Sequence, residues 1–406
     1  MRRIFIVAGS ILALVIVGVG GYILFFAHRA SVAVAPPEQV AFPTGTSTGP
    51  VGAVVGTSTA PVVVQPASTA SSTQPHLVQI AAGPVVPGVV VFDATTTSTS
   101  TVSAVVRYID RQSGNVYSYA VANGELSRLS NKTIPGIERA TWLADGSLAY
   151  VQYLSAISGT TNTQTYALPA NGIGGFFLAQ DLSGIAVQGS KSILTLASGA
   201  NGSAATYAKS DDSSPYTAFQ TPLSSVVASF AGPSHYLIYT KPSVALGGYA
   251  FLVNKKTGAF SQIAGPLDGL VARASPDGTQ ILVSYVDAQG AMRLELVAVA
   301  THTATELPLA TIASKCVWAS DSASIYCGIP TNPPAASYPD DWYQGAVAFD
   351  DQIWKIDVAG RYAQLVLDFS KETGGQLDAT ALSVDPKNTV LSFVNKNDGS
   401  LWEYRF

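Results

Sequence analysis

The chain has 406 residues, of which 12% are charged, and its formal net charge is −4. That length exceeds one ordinary domain, and so mild a charge balance, with no basic patch, excludes a nucleic-acid partner. Tyr, Val, Thr, Ser, Gly and Ala dominate, a composition suited to strands and turns.

Met1-Arg2-Arg3 precedes an uncharged apolar run, Ile4 to Phe26. At about 1.5 Å per residue a helix of that run crosses the roughly 30 Å hydrocarbon core of a bilayer. A secretory signal has a shorter apolar region and an Ala-x-Ala-like cleavage site. No clear site of that kind follows at once, which favours an uncleaved anchor over residues 1–28. Arg2 and Arg3 place the N-terminus inside, against a weaker opposing bias from His28-Arg29. The rest of the chain is then extracytoplasmic, attached to the cytoplasmic membrane by a single pass.

Residues 29–75 are built from Val, Ala, Pro, Thr, Ser and Gly, with Glu38 the only carboxylate. Pro36-Pro37, Pro43, Pro50, Pro61 and Pro66 interrupt any strand or helix. Such a segment buries too little surface to offset its ordering entropy and reads as a disordered tether.

Residues 76–406 are organised by a repeated hairpin. The clearest copy is Leu270-Val-Ala-Arg-Ala-Ser-Pro-Asp-Gly-Thr-Gln-Ile-Leu-Val-Ser-Tyr285. Pro276 presets φ for the first corner and Gly278 tolerates the left-handed φ that closes the turn. Looser copies are Arg139–Tyr150, Phe177–Val187, Val227–Tyr239, Lys315–Tyr326, Ala381–Phe393 and a degraded one from Val89 to Tyr108. Third and fourth strands follow several of them, as in Tyr249–Val253 and Phe260–Ile263.

Four short strands repeating every ~40–50 residues predict a β-propeller. The expected fold is all-β: a seven-bladed β-propeller of four-stranded antiparallel blades, preceded by one transmembrane helix and a disordered linker. The last unit ends at Phe406 after its third strand. His76–Val91 resembles Phe260–Val271, which runs from a fourth strand into the next unit. Leu77–Ala81 is therefore expected to complete the last blade and close the ring, hiding both open edges. The Ser275-Pro-Asp-Gly278 copy and its relatives resemble the TolB-like (WD-like) propeller repeat family over about Leu77 to Phe406. The resemblance implies a fold, not a function. TolB itself also has an N-terminal α/β domain and no tether, and its partner site maps onto no residues here.

No catalytic set is read from the chain. His28, His76, His235 and His302 are scattered, and no metal or other cofactor is expected. Asp145, Asp181, Asp277, Asp321 and Asp385 recur once per unit, as turn residues that bond local N–H groups do. Cys316 and Cys327, the only cysteines, fall opposite each other once the hairpin folds at Asp321-Ser322, and outside the cytoplasm they predict a disulfide.

Loops between second and third strands share a face with the connections between blades. Four read as long: Ser155–Gln164, Ser198–Ala204, Lys241–Gly248 and Ile329–Val347. The last offers Tyr338, Asp340, Asp341, Trp342 and Tyr343 as candidate binding residues for a protein, peptide or glycan. Its aromatic residues either form that surface or fold back onto the blade as a plug. Asp350-Asp351 beside Asp340-Asp341 raises a weaker option, Ca²⁺. The favoured reading is a scaffold or assembly factor in a bacterial envelope. The alternatives are an envelope hydrolase or lyase using acidic residues at the channel mouth, and a ligand sensor or adhesion module.

Overall fold

The computed structural model describes residues 76–95, 102–157, 160–360 and 362–406. The anchor expected at 1–28 and the linker at 29–75 lie outside the described residues. Among the described residues no helix is long and apolar enough to cross a membrane.

The architecture is all-β and antiparallel. β1 (Leu77–Ala81) leads into a first sheet of β2 (Val90–Thr95), β3 (Val102–Ile109), β4 (Val116–Ala120) and β5 (Glu125–Arg128). The second sheet holds β6 (Ile137–Trp142), β7 (Leu148–Ile157), β8 (Thr160–Pro169) and β9 (Phe176–Phe177). The third holds β10 (Leu182–Gln188), β11 (Ser192–Gly199), β12 (Gly202–Lys209) and β13 (Tyr216–Thr221).

A seven-stranded sheet follows: β14 (Val226–Ala231), β15 (His235–Thr240), β16 (Gly247–Asn254), β17 (Phe260–Ala274), β18 (Gln280–Val286), β19 (Met292–Ala298) and β20 (Thr303–Glu306). The first part of β17 pairs with β16 and its last part with β18, with Asp268 serving both. This sheet is thus two four-stranded halves sharing one continuous strand. The next sheet holds β21 (Cys316–Trp318), β22 (Ser324–Pro330), β23 (Asp351–Asp357) and β24 (Ala363–Asp368). The last holds β25 (Ala379–Val384), β26 (Val390–Asn395) and β27 (Leu401–Arg405), with β1 added at its outer side, Leu77 opposite Tyr404.

Burial follows position within a sheet. Every residue of β26 is buried, because both faces of that middle strand meet neighbouring sheets. The outer strands β5 and β20 are mostly exposed. Apolar clusters fill the gaps between successive sheets. Val105 packs with Trp142, Tyr150 with Ile193, and Leu196 with Tyr236. Leu252 shares a cluster with Val283, Leu296 with Ile325, and Ile353 with Phe393. A further cluster joins the last sheet to the first through Leu401 and Val106. There the Val91 N–H also donates to Ser383 Oγ at 3.1 Å.

Two expectations change in detail. Phe177–Val187 is not the first hairpin of its unit. Phe176–Phe177 ends the second sheet, and the hairpin comes later, where Gln188 faces Ser192. Asp181, at φ 56°, does turn the chain, but between sheets, and it accepts the Thr163 N–H at 2.9 Å. Its turn-like surroundings imitate the hairpin signal. Likewise Ser155–Gln164 and Ser198–Ala204 are mostly extended hairpin rather than long loop, with Ser155 paired to Asn162 and Ser198 to Ser203. Thr and Ser, read there as loop formers, serve equally on exposed strands.

Candidate functional site

The segment between β22 and β23 is the most elaborate connection on its face. It carries one short helix, α1 (Asp340–Gln344). Asp341 Oδ2 accepts the Ser337 N–H at 2.7 Å, which turns the chain into that helix. Tyr338 donates to the Pro334 carbonyl. Pro339 and Tyr338 press onto Gly269, where an added Cβ would lie 2.7 Å from the Tyr338 oxygen. Gly269 also has φ +65°, so only glycine suits that position.

Two of the five candidate binding residues face inward: Tyr338 is 5% exposed and Trp342 3%. The Trp342 ring stacks on Phe349, centroids 6.1 Å apart at 14°. Beneath these rings lies a cluster that the sequence did not reveal. Lys315 ends a single 3₁₀ turn (Ala313–Lys315), Asp351 opens β23 and Asp378 immediately precedes β25. All three side chains are fully buried. Lys315 Nζ lies 2.7 Å from Asp351 Oδ2, contacts Asp378 Oδ1 and donates to the Ala379 carbonyl at 3.0 Å. Asp378 Oδ2 accepts from Trp342 Nε1 and from the Phe349 N–H, each at 2.9 Å.

The cluster holds one cation and two carboxylates. Lys396 supplies a second cation nearby, its Nζ 5.0 Å from the Trp342 ring centre. Burial pushes the Asp351 carboxyl up to about 6; Lys315 opposes the shift and Asp378 adds to it. Asp351 Oδ2 accepts the Ala379 N–H at 2.7 Å, while Oδ1 has no hydrogen-bond partner. Paired carboxylates can serve acid/base chemistry, but these are sealed under Trp342 and Phe349. What they do is pin the loop: one buried carboxylate receives both the indole and the backbone of its closing segment.

The other three candidates reach the surface. Tyr343 is 46% exposed and donates to Ser314 Oγ at 3.0 Å. Asp341 is partly exposed. Asp340 Oδ2 accepts the Val244 N–H at 2.7 Å, tying the loop to the β15–β16 connection. Asp340 also lines a groove of about 480 Å³ with Leu223, Thr240, Lys241 and Leu246. Leu246 there is 74% exposed.

The four aspartates weighed as Ca²⁺ ligands do not converge. Among the described residues no three His, Cys, Asp or Glu side chains gather into a metal cluster. The recurring aspartates bond local backbone: Asp145 accepts the Ser147 N–H, Asp277 the Thr279 N–H, Asp321 the Ala323 N–H and Asp385 the Val390 N–H. Cys316 and Cys327 are paired across β21 and β22 and joined as a disulfide.

Arg273 also went unremarked in the sequence. It lies on β17, partly exposed. Its Nη1 donates to the carbonyl of Cys316, on β21, and at 3.4 Å to that of Ser314, in the 3₁₀ turn before it. The available signal was its register: in the hairpin copies the same place holds Thr141, Val317 and Ser383, all uncharged.

No family model matches the chain, and no curated protein matches its sequence. Solved structures match its fold. An oligogalacturonate lyase in complex with manganese aligns at TM-score 0.50 and 8% identity, over 79% of this chain and 96% of that one. A mitotic checkpoint complex chain aligns at 0.51 and 10%, over 88% and 99%. TolB from Acinetobacter baumannii aligns more loosely, at 0.42 and 12%, over 80% of each chain. Serial four-stranded antiparallel sheets with apolar filling between them make the fold a β-propeller, and the resemblance to TolB-like repeats is one of fold.

Proposed function

We propose that the chain is a membrane-anchored, extracytoplasmic propeller. Residues 1–28 form the anchor, 29–75 a tether and 76–406 a ring of seven blades, closed through Leu77–Ala81. It binds a protein, peptide or glycan through the face bearing Tyr343, and serves as a scaffold or assembly factor in a bacterial envelope. Ring closure is supported by the β1–β27 pairing and by the cluster joining the last sheet to the first. The anchor is supported by the apolar run Ile4–Phe26 behind Arg2-Arg3.

The observation that carries the binding role is the Asp378 pin. A long connection that served only to join two strands would need no buried ionic cluster. Fixing it ahead of time lowers the ordering cost of binding. It presents Tyr343 and Asp340 beside the Leu246 groove.

The test is affinity capture from native membranes. The intact chain is compared with a Tyr338–Tyr343 deletion and with a Tyr343→Ala/Leu246→Glu double variant, which leaves the buried anchors in place. The intact protein should retain a partner that both variants lose. Recovery of the same material by all three would overturn the reading.

A further inference from the structure

Among the described residues Arg273, like Arg107, Arg139 and Lys255, is held by backbone carbonyls and not by an ion pair. Arg293 pairs with Asp287 and Glu306, Arg405 with Glu403, and Lys315 with two aspartates. Among the described residues no carboxylate pairs with Arg273. Its Nη1 is held by the carbonyls of Cys316 and Ser314. This fixes the plane of the guanidinium, and among the described residues Nε and Nη2 have no hydrogen-bond partner. The residue as a whole is partly exposed, and burial lowers the pKa of its guanidinium.

The surroundings are tyrosine, not acid. The phenols of Tyr239 and Tyr343 lie within electrostatic reach of the guanidinium. Tyr343 stands on α1, and its hydroxyl is held by Ser314, whose carbonyl also receives Arg273. The Asp378 pin therefore fixes Tyr343 relative to Arg273. A buried guanidinium with no counter-charge among the described residues carries an uncompensated desolvation cost. Its free fork matches a carboxylate in geometry and charge.

We propose that Arg273, beside Tyr343, is a binding site for a ligand carboxylate. The carboxylate accepts from the free Nε and Nη2, and the exposed Tyr343 ring covers the group that bears it. This deepens the partner-binding reading above and rests on it. An acidic peptide side chain and a uronic acid of a glycan present the same chemistry.

Calorimetric titration of the full-length chain in detergent separates the two sources. The probes are acetyl-Ala-Glu-Ala-amide and trimannuronate, each set against its neutral counterpart, acetyl-Ala-Gln-Ala-amide and the trimannuronate methyl ester. One carboxylate probe should bind, its neutral counterpart should bind at least about tenfold more weakly, and Arg273→Gln should abolish the difference. Added salt should weaken the wild-type interaction.

The Gln variant also loses a bond to β21. Should it fail to fold, Arg273→Lys keeps the charge and removes the fork, and binding should fall several-fold. Equal binding by a folded Arg273 variant, or no binding of either acidic probe, would overturn the proposal. If a native-membrane partner is lost with Tyr343→Ala/Leu246→Glu yet retained by folded Arg273→Gln, the carboxylate site is wrong and the docking face stands.

Discussion

The Asp378 carboxylate and the Trp342 indole meet across the join between loop and sheet: Oδ2 accepts the Nε1 proton at 2.9 Å, with both side chains buried. Trp342→Phe keeps a ring against Phe349 but removes the donor, leaving a buried carboxylate short of one hydrogen bond. The expected loss is about 1–3 kcal/mol of unfolding free energy. Trp342→Ala also leaves a cavity and should cost about 3–5 kcal/mol. Urea denaturation followed by circular dichroism measures both. If neither variant shifts the midpoint, the indole does not anchor the loop.

Asp351 makes stability respond to pH in the opposite sense from an ordinary ion-paired aspartate. Its folded pKa, about 6, lies above the unfolded value of about 3.9. Between those values the folded state holds the proton that the unfolded state has released. The contribution of this group is therefore present at low pH and lost as pH rises through about 6. Asp145, Asp277, Asp287 and Asp368 are held below the usual carboxylate range, and they lose stability as pH falls. The measurement is therefore a difference, wild type minus Asp351→Asn, by urea denaturation at pH 4 to 8. That difference should fall by on the order of 1–3 kcal/mol between about pH 4 and pH 7. A flat difference would mean that Asp351 titrates normally.

The unevenness of what could be read from the sequence has a physical cause. A hairpin repeated along the chain, with Pro276 and Gly278 at its clearest turn, announces four-stranded antiparallel sheets because turn chemistry and strand alternation are local. The Lys315–Asp351–Asp378 cluster is not local. Each residue comes from the end of a different element, and Asp378 sits in the plain run Gln-Leu-Asp-Ala-Thr. The aromatic loop could be read as surface or plug, and it divides: Tyr338 and Trp342 turn in, Tyr343 stays out. The decision falls to Asp378, which is distant in sequence. Arg273 stands in the clearest copy of the repeat, but that no carboxylate among the described residues pairs with it is a fact of three dimensions.

Cys316 and Cys327 occupy opposed positions, eleven residues apart in sequence. In an oxidising compartment the purified protein should resist alkylation until it is both unfolded and reduced, as read by intact mass. Replacing both with Ser should cost about 2–3 kcal/mol, the amount expected for closing so short a loop. Free thiols in protein taken from the native membrane would place the domain in a reducing compartment and count against the extracytoplasmic reading.

The strand Leu77–Ala81 adds to the free side of β27, and it is held there at both ends. The Arg405 N–H donates to the His76 carbonyl, and the Val85 N–H to the Gly399 carbonyl. Removing residues 76–81 while keeping the tether joined to the next residue should leave β27 as an open edge, with its N–H and C=O groups unpaired. It should also uncover part of the apolar filling beside Val78 and Ile80, which pack against the cluster linking the last and first sheets. Such an edge is a template for pairing with other chains, so the expected outcome is concentration-dependent self-association together with a lower unfolding midpoint. Light scattering coupled to size exclusion, alongside thermal denaturation, tests both. A monodisperse variant that melts with the parent would count against the proposed closure through the N-terminal strand.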